Sequence, residues 1–280
     1  MLSCQNLSVE VSSPSSQRIL NEVNVSFAAG KLHAIVGPSG CGKTTLVKAM
    51  LGLMPHKGRV FLGCEQVRGA DDLTGRVGFA PQFSIASPKL TVRECLHYTY
   101  CLAVSDKTLE RGRIDEVLEL IGLAEHADKL VQSLSGGQLR RLGLGQELML
   151  DPPVLVCDEV TSGLDPSSED VILKLLRQVC DKTGKTVICI IHNLGKLPLF
   201  DSVTFVYGGH VLFQGAPDEL CAHFGVNSAF DLYGACEQKP LEHWLEKRPA
   251  MSEAPQDCPQ IPPAKIPAFF EQLTTLLQRR

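Results

Sequence analysis

Over the first 27 residues apolar positions come in short alternating runs, LSVEV at 7–11 and ILNEVNVSF at 19–27, separated by the Ser/Pro-rich SSPSSQ. This pattern predicts a small antiparallel β unit joined by a loop. Gly30 hands over to the unbroken apolar run LHAIV (32–36), which reads as a buried strand, and the following LVKAMLGLM has helical spacing. RVFLGC (59–64) and RVGFA (76–80) read as further strands, the second ending at Pro81-Gln82. From Leu90 to Val131 the apolar spacing changes to three and four, predicting an inserted set of helices. A helix is also expected to run on to Leu150, where Asp151-Pro152-Pro153 stops it. VLVC (154–157) is a fully apolar strand, Ser167–Cys180 is helical, and Lys185–Ile191 is another buried strand. Val203–Tyr207 and His210–Gln214 flank Gly208-Gly209 as a hairpin, followed by a helix from Asp218 to Phe224. Beyond residue 235 seven prolines accompany Lys, Glu, Gln and Ser, which predicts a linker over 236–267. AFFEQLTTLLQRR (268–280) closes the sequence as a short amphipathic helix with Phe269, Phe270, Leu273, Leu276 and Leu277 on one face.

The alternation of strands and helices predicts an α/β fold with a mixed or parallel sheet flanked by helices. At 280 residues, with 44% hydrophobic and 21% charged positions, the chain can bury a sizeable core. A net charge of -4 and a pI near 6.1 offer no bulk attraction for nucleic acid, so no nucleic-acid partner is expected. The eleven cysteines form no C-x-x-C pair and several lie inside apolar runs, so they read as small buried hydrophobes rather than a disulfide or zinc framework. No window of 18 apolar residues spans a membrane.

The chemistry concentrates where strands end. GPSGCGKTT (Gly37, Pro38, Ser39, Gly40, Cys41, Gly42, Lys43, Thr44, Thr45) fits Gly-x-x-x-x-Gly-Lys-[Ser/Thr] between a strand and a helix. In that setting successive backbone N–H groups can cradle a polyphosphate, Lys43 adds a point charge on it, and Thr44 offers a hydroxyl to Mg²⁺. LSGGQ (134–138) places Ser135, Gly136, Gly137 and Gln138 at a helix start, a site for an anion or a plain Ser-Gly-Gly turn. Asp158 and Glu159 follow a buried strand at its carboxyl end, where open α/β sheets place ligand chemistry. There Asp158 would hold Mg²⁺, directly or through water, and Glu159 would orient and deprotonate an attacking water. Asp165 lies in the exposed turn TSGLDP, and His192 ends the strand after the acid pair, in the order that lets it reach the same phosphate.

Taken together, GPSGCGKTT, Gln82, LSGGQ, VLVCDE, SGLD and His192 resemble, in this order, the nucleotide-binding domain of ATP-binding-cassette (ABC) proteins. The resemblance implies a P-loop NTPase core with an N-terminal antiparallel β subdomain and an inserted helical subdomain at about 90–150, the domain occupying 1–235. It implies ATP and Mg²⁺ as cofactors, Glu159, His192, Lys43 and Gln82 as catalytic residues, and Thr44, Gln82 and Asp158 as metal ligands. It implies binding of ATP by the Gly37–Thr45 loop, by the signature residues 135–138 and by Asp165. Two such domains, identical or not, would close head to tail, with Ser135 touching the nucleotide held by the other subunit's Lys43. KLTVRECLHYTYCL, GLGQELMLDPPVLVCDEVTSGLDPSS and the segment from Lys185 to Gly225 look like the G subfamily (White or pigment-precursor type), in which the cassette precedes the membrane domain. The 268–280 helix is similar to that subfamily's connecting helix. The implied function is an ATPase that powers transport as the cassette of a half-transporter, on the cytoplasmic side of a membrane, partnered by a membrane-spanning domain of the same or a separate chain. The alternatives are a soluble non-transporting ABC ATPase of translation or DNA-repair type, and a separate energy subunit.

Three departures from the family pattern carry expectations. Val160 stands where the subfamily has proline after the base, which predicts a looser turn around Glu159. Val9 stands where the family commonly has an aromatic that stacks on adenine, which predicts weak base selectivity. Cys41 at the start of a helix predicts a reactive thiol, because helix N-termini favour the thiolate.

Overall fold

The computed structural model describes residues 1–11, 17–82, 86–106, 108–248 and 267–278. The strands, in chain order, are Leu2–Val11 (β1), Gln17–Phe27 (β2), Leu32–Val36 (β3), Lys57–Leu62 (β4), Glu65–Val67 (β5), Val77–Ala80 (β6), Val154–Cys157 (β7), Thr186–Ile190 (β8), Ser202–Tyr207 (β9) and His210–Gly215 (β10). The helices are Lys43–Met50 (α1), Val92–Ala103 (α2), Glu110–Leu120 (α3), Gly136–Leu148 (α4), Pro166–Thr183 (α5), Pro217–Phe224 (α6), Leu232–Glu237 (α7), Leu241–Glu246 (α8) and Phe269–Gln278 (α9). Two sheets form. One is antiparallel, in the order β2-β1-β4-β5; the other runs β10-β9-β3-β8-β7-β6, parallel except for the β9–β10 hairpin.

The period of two along a strand decides which core each residue joins. Leu32, Ala34 and Val36 of β3 face the core built with α5, the helical insertion and the C-terminal helices. Ile35 faces the other way, with Leu46, Val47 and Met50 of α1, against the antiparallel sheet. β7 and β8 are split the same way: Leu155, Cys157, Val187 and Cys189 on one side, Val154, Val156, Ile188 and Ile190 on the other. Because both faces are covered, these strands read as continuous apolar runs rather than as alternation.

Helix ends follow local chemistry. Thr91 and Glu94 form a reciprocal capping box at the start of α2, as Ser135 and Gln138 do at α4. Asp165 accepts from the backbone N–H groups of Ser167 and Ser168 to open α5, and Gly184, at φ 66°, closes it in the left-handed conformation.

The packed unit extends past the boundary expected at 235. Trp244 of α8 is 1% exposed, its ring centroid 5.0 Å from that of Phe224, with Lys239 and Lys247 over its faces. Polar and proline-rich composition masked this, since one buried tryptophan carries the contact area of several smaller residues. The rest of the expected linker, 249–266, lies outside the described residues. α9 packs on α2, where the Gln272 amide donates to the Leu102 carbonyl at 3.2 Å. Leu276 and Leu277 on its expected apolar face are exposed.

Candidate functional site

The parallel strands β3, β6, β7 and β8 end on one side of the sheet, and the loops that leave them meet there. The loop after β3 needs glycine. A Cβ on Gly37 would sit 2.1 Å from the Val206 carbonyl oxygen, and Gly42, at φ 107°, is the N-cap of α1. Lys43 follows, 5% exposed, its Nζ donating to the carbonyls of Gly37 and Pro38 at 2.9 Å each. No described ion pair joins it to a carboxylate. A buried cation without an acid partner is costly, and a phosphate in the cradle supplies the missing charge.

At the next residue, the Thr44 hydroxyl donates to Asp158 Oδ1 at 2.9 Å, joining the start of α1 to the end of β7. Burial pushes the Asp158 carboxyl up; the Thr44 hydrogen bond and the ammonium groups of Lys48 and Lys43 pull it down, while the neighbouring Glu159 charge pushes it up again. A hydroxyl and a carboxylate side by side are the hard oxygen donors that Mg²⁺ takes alongside phosphate oxygens and water. Thr44, Asp158 and the amide oxygen of Gln82 would hold the ion.

Glu159 adopts φ 52°, the left-handed region that a non-glycine residue enters at a cost of about 1 kcal/mol. Its carboxylate lies between two strand ends: Oε1 is 2.8 Å from Nε2 of His192, after β8, and Oε2 accepts from the Gln82 amide, after β6, at 3.3 Å. Side-chain exposures of 19% for Glu159 and 43% for His192 leave the group reachable by water. A carboxylate steered by an imidazole and an amide, next to a metal and phosphate cradle, can orient and deprotonate a water for phosphoryl transfer.

The structure thus brings together Gly37–Thr45, Gln82, Asp158, Glu159 and His192. It does not bring Ser135 to them. Ser135 and Gln138 satisfy each other at the N-terminus of α4, and no hydrogen bond among the described residues joins that corner to the Lys43 loop. Gly137 packs against Ser168, so α4 and α5 start side by side. Both oxygens of Asp165 are taken by the first turn of α5, Oδ2 by the Ser168 hydroxyl at 2.6 Å.

Three expectations are corrected. Val9 is 1% exposed, on the inner face of β1 opposite Leu20, and cannot stack on a nucleotide. The residues of that sheet that reach the loop are Leu20 and Ile19 of β2, with Leu20 Cδ2 2.8 Å and Ile19 Cγ2 3.6 Å from the position of a Cβ on Gly42. Weak base selectivity is still expected: ATP and GTP affinities measured side by side should differ by less than about tenfold, or 1.4 kcal/mol, and a larger ATP preference refutes it. Val160 does not loosen the turn. It is 2% exposed, and the Ser162 N–H closes the turn onto the Glu159 carbonyl at 2.9 Å. Cys41 is buried beneath the loop, and desolvation, opposed by Lys43, pushes its thiol up rather than down. Iodoacetamide at pH 7 is therefore expected to label the exposed Cys64 well before Cys41, read by peptide mass mapping; faster labelling at Cys41 would contradict this burial.

Tyr233 was not legible in the sequence. From α7, nearly 200 residues beyond the loop, its phenol takes a hydrogen bond from the Gly37 backbone, and burial raises its pKa. No local motif marks such a contact.

Residues 20–162 match the sequence profile of the ABC transporter family. The chain belongs to that family. Among curated proteins, an ABC transporter ATP-binding/permease protein of Mycobacterium tuberculosis is 30% identical over 273 residues, covering 94% of this chain and 31% of the relative. The methionine import ATP-binding protein MetN 1 of Acinetobacter baylyi is 35% identical over 204 residues, covering 70% and 57%. This ABC chain therefore spans less than two thirds of either relative. The solved structure of cbiO1 from Clostridium perfringens matches with a TM-score of 0.73 at 28% identity, covering 79% of this chain and 90% of that one.

Proposed function

We propose that this ABC cassette binds MgATP, pairs head to tail with a second cassette, identical or not, and hydrolyses ATP to drive a membrane-spanning domain. The observation that carries the reading is the meeting of Thr44 with Asp158, and of Glu159 with Gln82 and His192, at one edge of the sheet. In this reading the chain supplies half of the site: cradle, metal ligands and base. The other half, Ser135 with Gly136 and Gly137, stands apart at the start of α4, which a second copy's Lys43 loop can face. Asp165, spent on its own helix, lies beside that corner and acts by holding α5 against Gly137. Trapping tests the reading. Glu159→Gln with MgATP should elute as a dimer, and a chain that stays monomeric under all nucleotide conditions would refute the pairing.

Coupling to a membrane partner is supported by the mycobacterial relative, whose name joins an ATP-binding part to a permease. MetN 1, named as an ATP-binding protein for import, supports the alternative of a separate energy subunit. Among the described residues no helix is long and apolar enough to cross a membrane. Placement in the G subfamily rests on the segments KLTVRECLHYTYCL and GLGQELMLDPPVLVCDEVTSGLDPSS and on α9 as connecting helix. It would put the cassette on the cytoplasmic face, held there by the segment leading from α9.

A further inference from the structure

One group of side chains outside the nucleotide site has the composition of a metal centre. His97 and Cys101 stand at positions i and i+4 of α2, on one face of the helix, and Glu110 opens the adjacent α3. His97 Nδ1 and Glu110 Oε1 are in direct contact. Cys101 Sγ is 3.9 Å from each ring nitrogen of His97 and 3.9 Å from Glu110 Oε2, and one ligand atom from each residue can be chosen so that all lie within 4.8 Å of one another.

We propose that His97, Cys101 and Glu110 bind a borderline-soft divalent cation of the Zn²⁺ class, cross-bracing α2 to α3 in the helical insertion. An imidazole, a thiolate and a carboxylate are three of the ligand types that zinc takes, at about 2.0–2.3 Å, so ligand atoms of a tetrahedral site lie about 3.3–3.6 Å apart. Cys101 needs to move only a few tenths of an ångström. The direct His97–Glu110 contact must open, so that one ring nitrogen of His97 and one oxygen of Glu110 both face the ion.

The cluster is reachable. His97 is 42% and Glu110 23% exposed at the side chain, and both line an open cleft with Arg93, Glu94, Arg111 and Asp115. Arg93 is already paired with Asp115 at 2.7 Å. Most of the described cysteines are buried, whereas Cys101 is half-buried. Its place four residues after a histidine is what a two-ligand helix face requires. A plain His–Glu ion pair would equally link the two helices, with the Cys101 thiol only donating weakly to Glu110; a metal instead takes the thiolate, and a metal–sulfur bond is the point on which the two readings separate.

Binding displaces the Cys101 thiol proton to solvent and forms a metal–sulfur bond, with no change of oxidation state. Co²⁺ titrated into the nucleotide-free full chain under reducing conditions should produce one equivalent of a thiolate-to-metal charge-transfer band in the near ultraviolet. Zn²⁺ should abolish the band stoichiometrically, with a Kd of about 1 µM or tighter. Cys101→Ser should lose the band while keeping the metal-free chain's denaturation midpoint, and Glu110→Gln should weaken Zn²⁺ binding about tenfold or more. Should Cys101→Ser fail to fold, His97→Gln, a change at a half-exposed position, serves in its place. No band in the parent chain, or a band that survives these substitutions, overturns the site.

Discussion

Glu159→Gln is expected to lower steady-state ATP turnover about 10²–10⁴-fold, the range that a positioned general base contributes. That corresponds to about 3–5 kcal/mol of transition-state stabilisation. The substitution keeps the shape of the side chain and makes no new demand on the backbone at φ 52°. It removes the one group that both accepts the Gln82 amide and faces His192 Nε2 at 2.8 Å. Nucleotide affinity should survive, because the cradle, Lys43 and the Thr44–Asp158 pair are untouched. Kinetics and binding measured on the same preparation decide it: a turnover within about threefold of the parent means that another group takes the proton, well short of a base's contribution.

The second large effect is on stability against pH, and it comes from Glu147. This residue lies on α4, in the wall of a 260 Å³ cleft between α2, α4 and the end of β6, and accepts the Phe79 N–H at 3.0 Å. Burial pushes its carboxyl up from 4.5 to about 7, and the Phe79 hydrogen bond only partly opposes this. Below pH 4.5 folded and unfolded chains both hold the proton and nothing is lost. Between 4.5 and about 7 the unfolded chain gives it up while the folded chain keeps it, so stability falls as pH rises, by about 3 kcal/mol in total, and then levels. Glu147→Gln cannot ionise, and its amide oxygen can still accept from Phe79. Denaturant unfolding of both chains at pH 5 and pH 8 should show the variant gaining about 2–3 kcal/mol relative to the parent at the higher pH. A difference that is the same at both values refutes the buried-acid account. Arg140 lines the same cleft, so neutralising the acid also changes the charge of the groove beside Gln82.

Sequence and structure agree most closely where a residue's role is local. The strand ahead of Gly37, the glycines of the loop, the helix start at Ser135, and the apolar run ending at Asp158 depend on neighbours a few positions away. Those interactions are written in the order of residues. Disagreement gathers at Val9, Cys41, Val160 and Trp244, whose behaviour depends on what covers them. Helix-terminus chemistry favours a reactive Cys41, but desolvation by packed neighbours is the larger effect. A loosened turn at Val160 is prevented by burial. The His97–Cys101 spacing was legible too, yet its partner Glu110 comes from another helix, and a search for paired cysteines passes over it.

By itself, then, the sequence of this chain determined the α/β class, the phosphate loop, the acid pair and the family, because periodicity, glycine placement and short motifs are properties of contiguous residues. Only the tertiary structure decided that Glu159 sits between Gln82 and His192, that Tyr233 reaches Gly37, that burial raises the Glu147 carboxyl and that Ser135 stands apart from Lys43. Each of these depends on distances between residues far apart in the chain, and on how much water the packed layers leave around them.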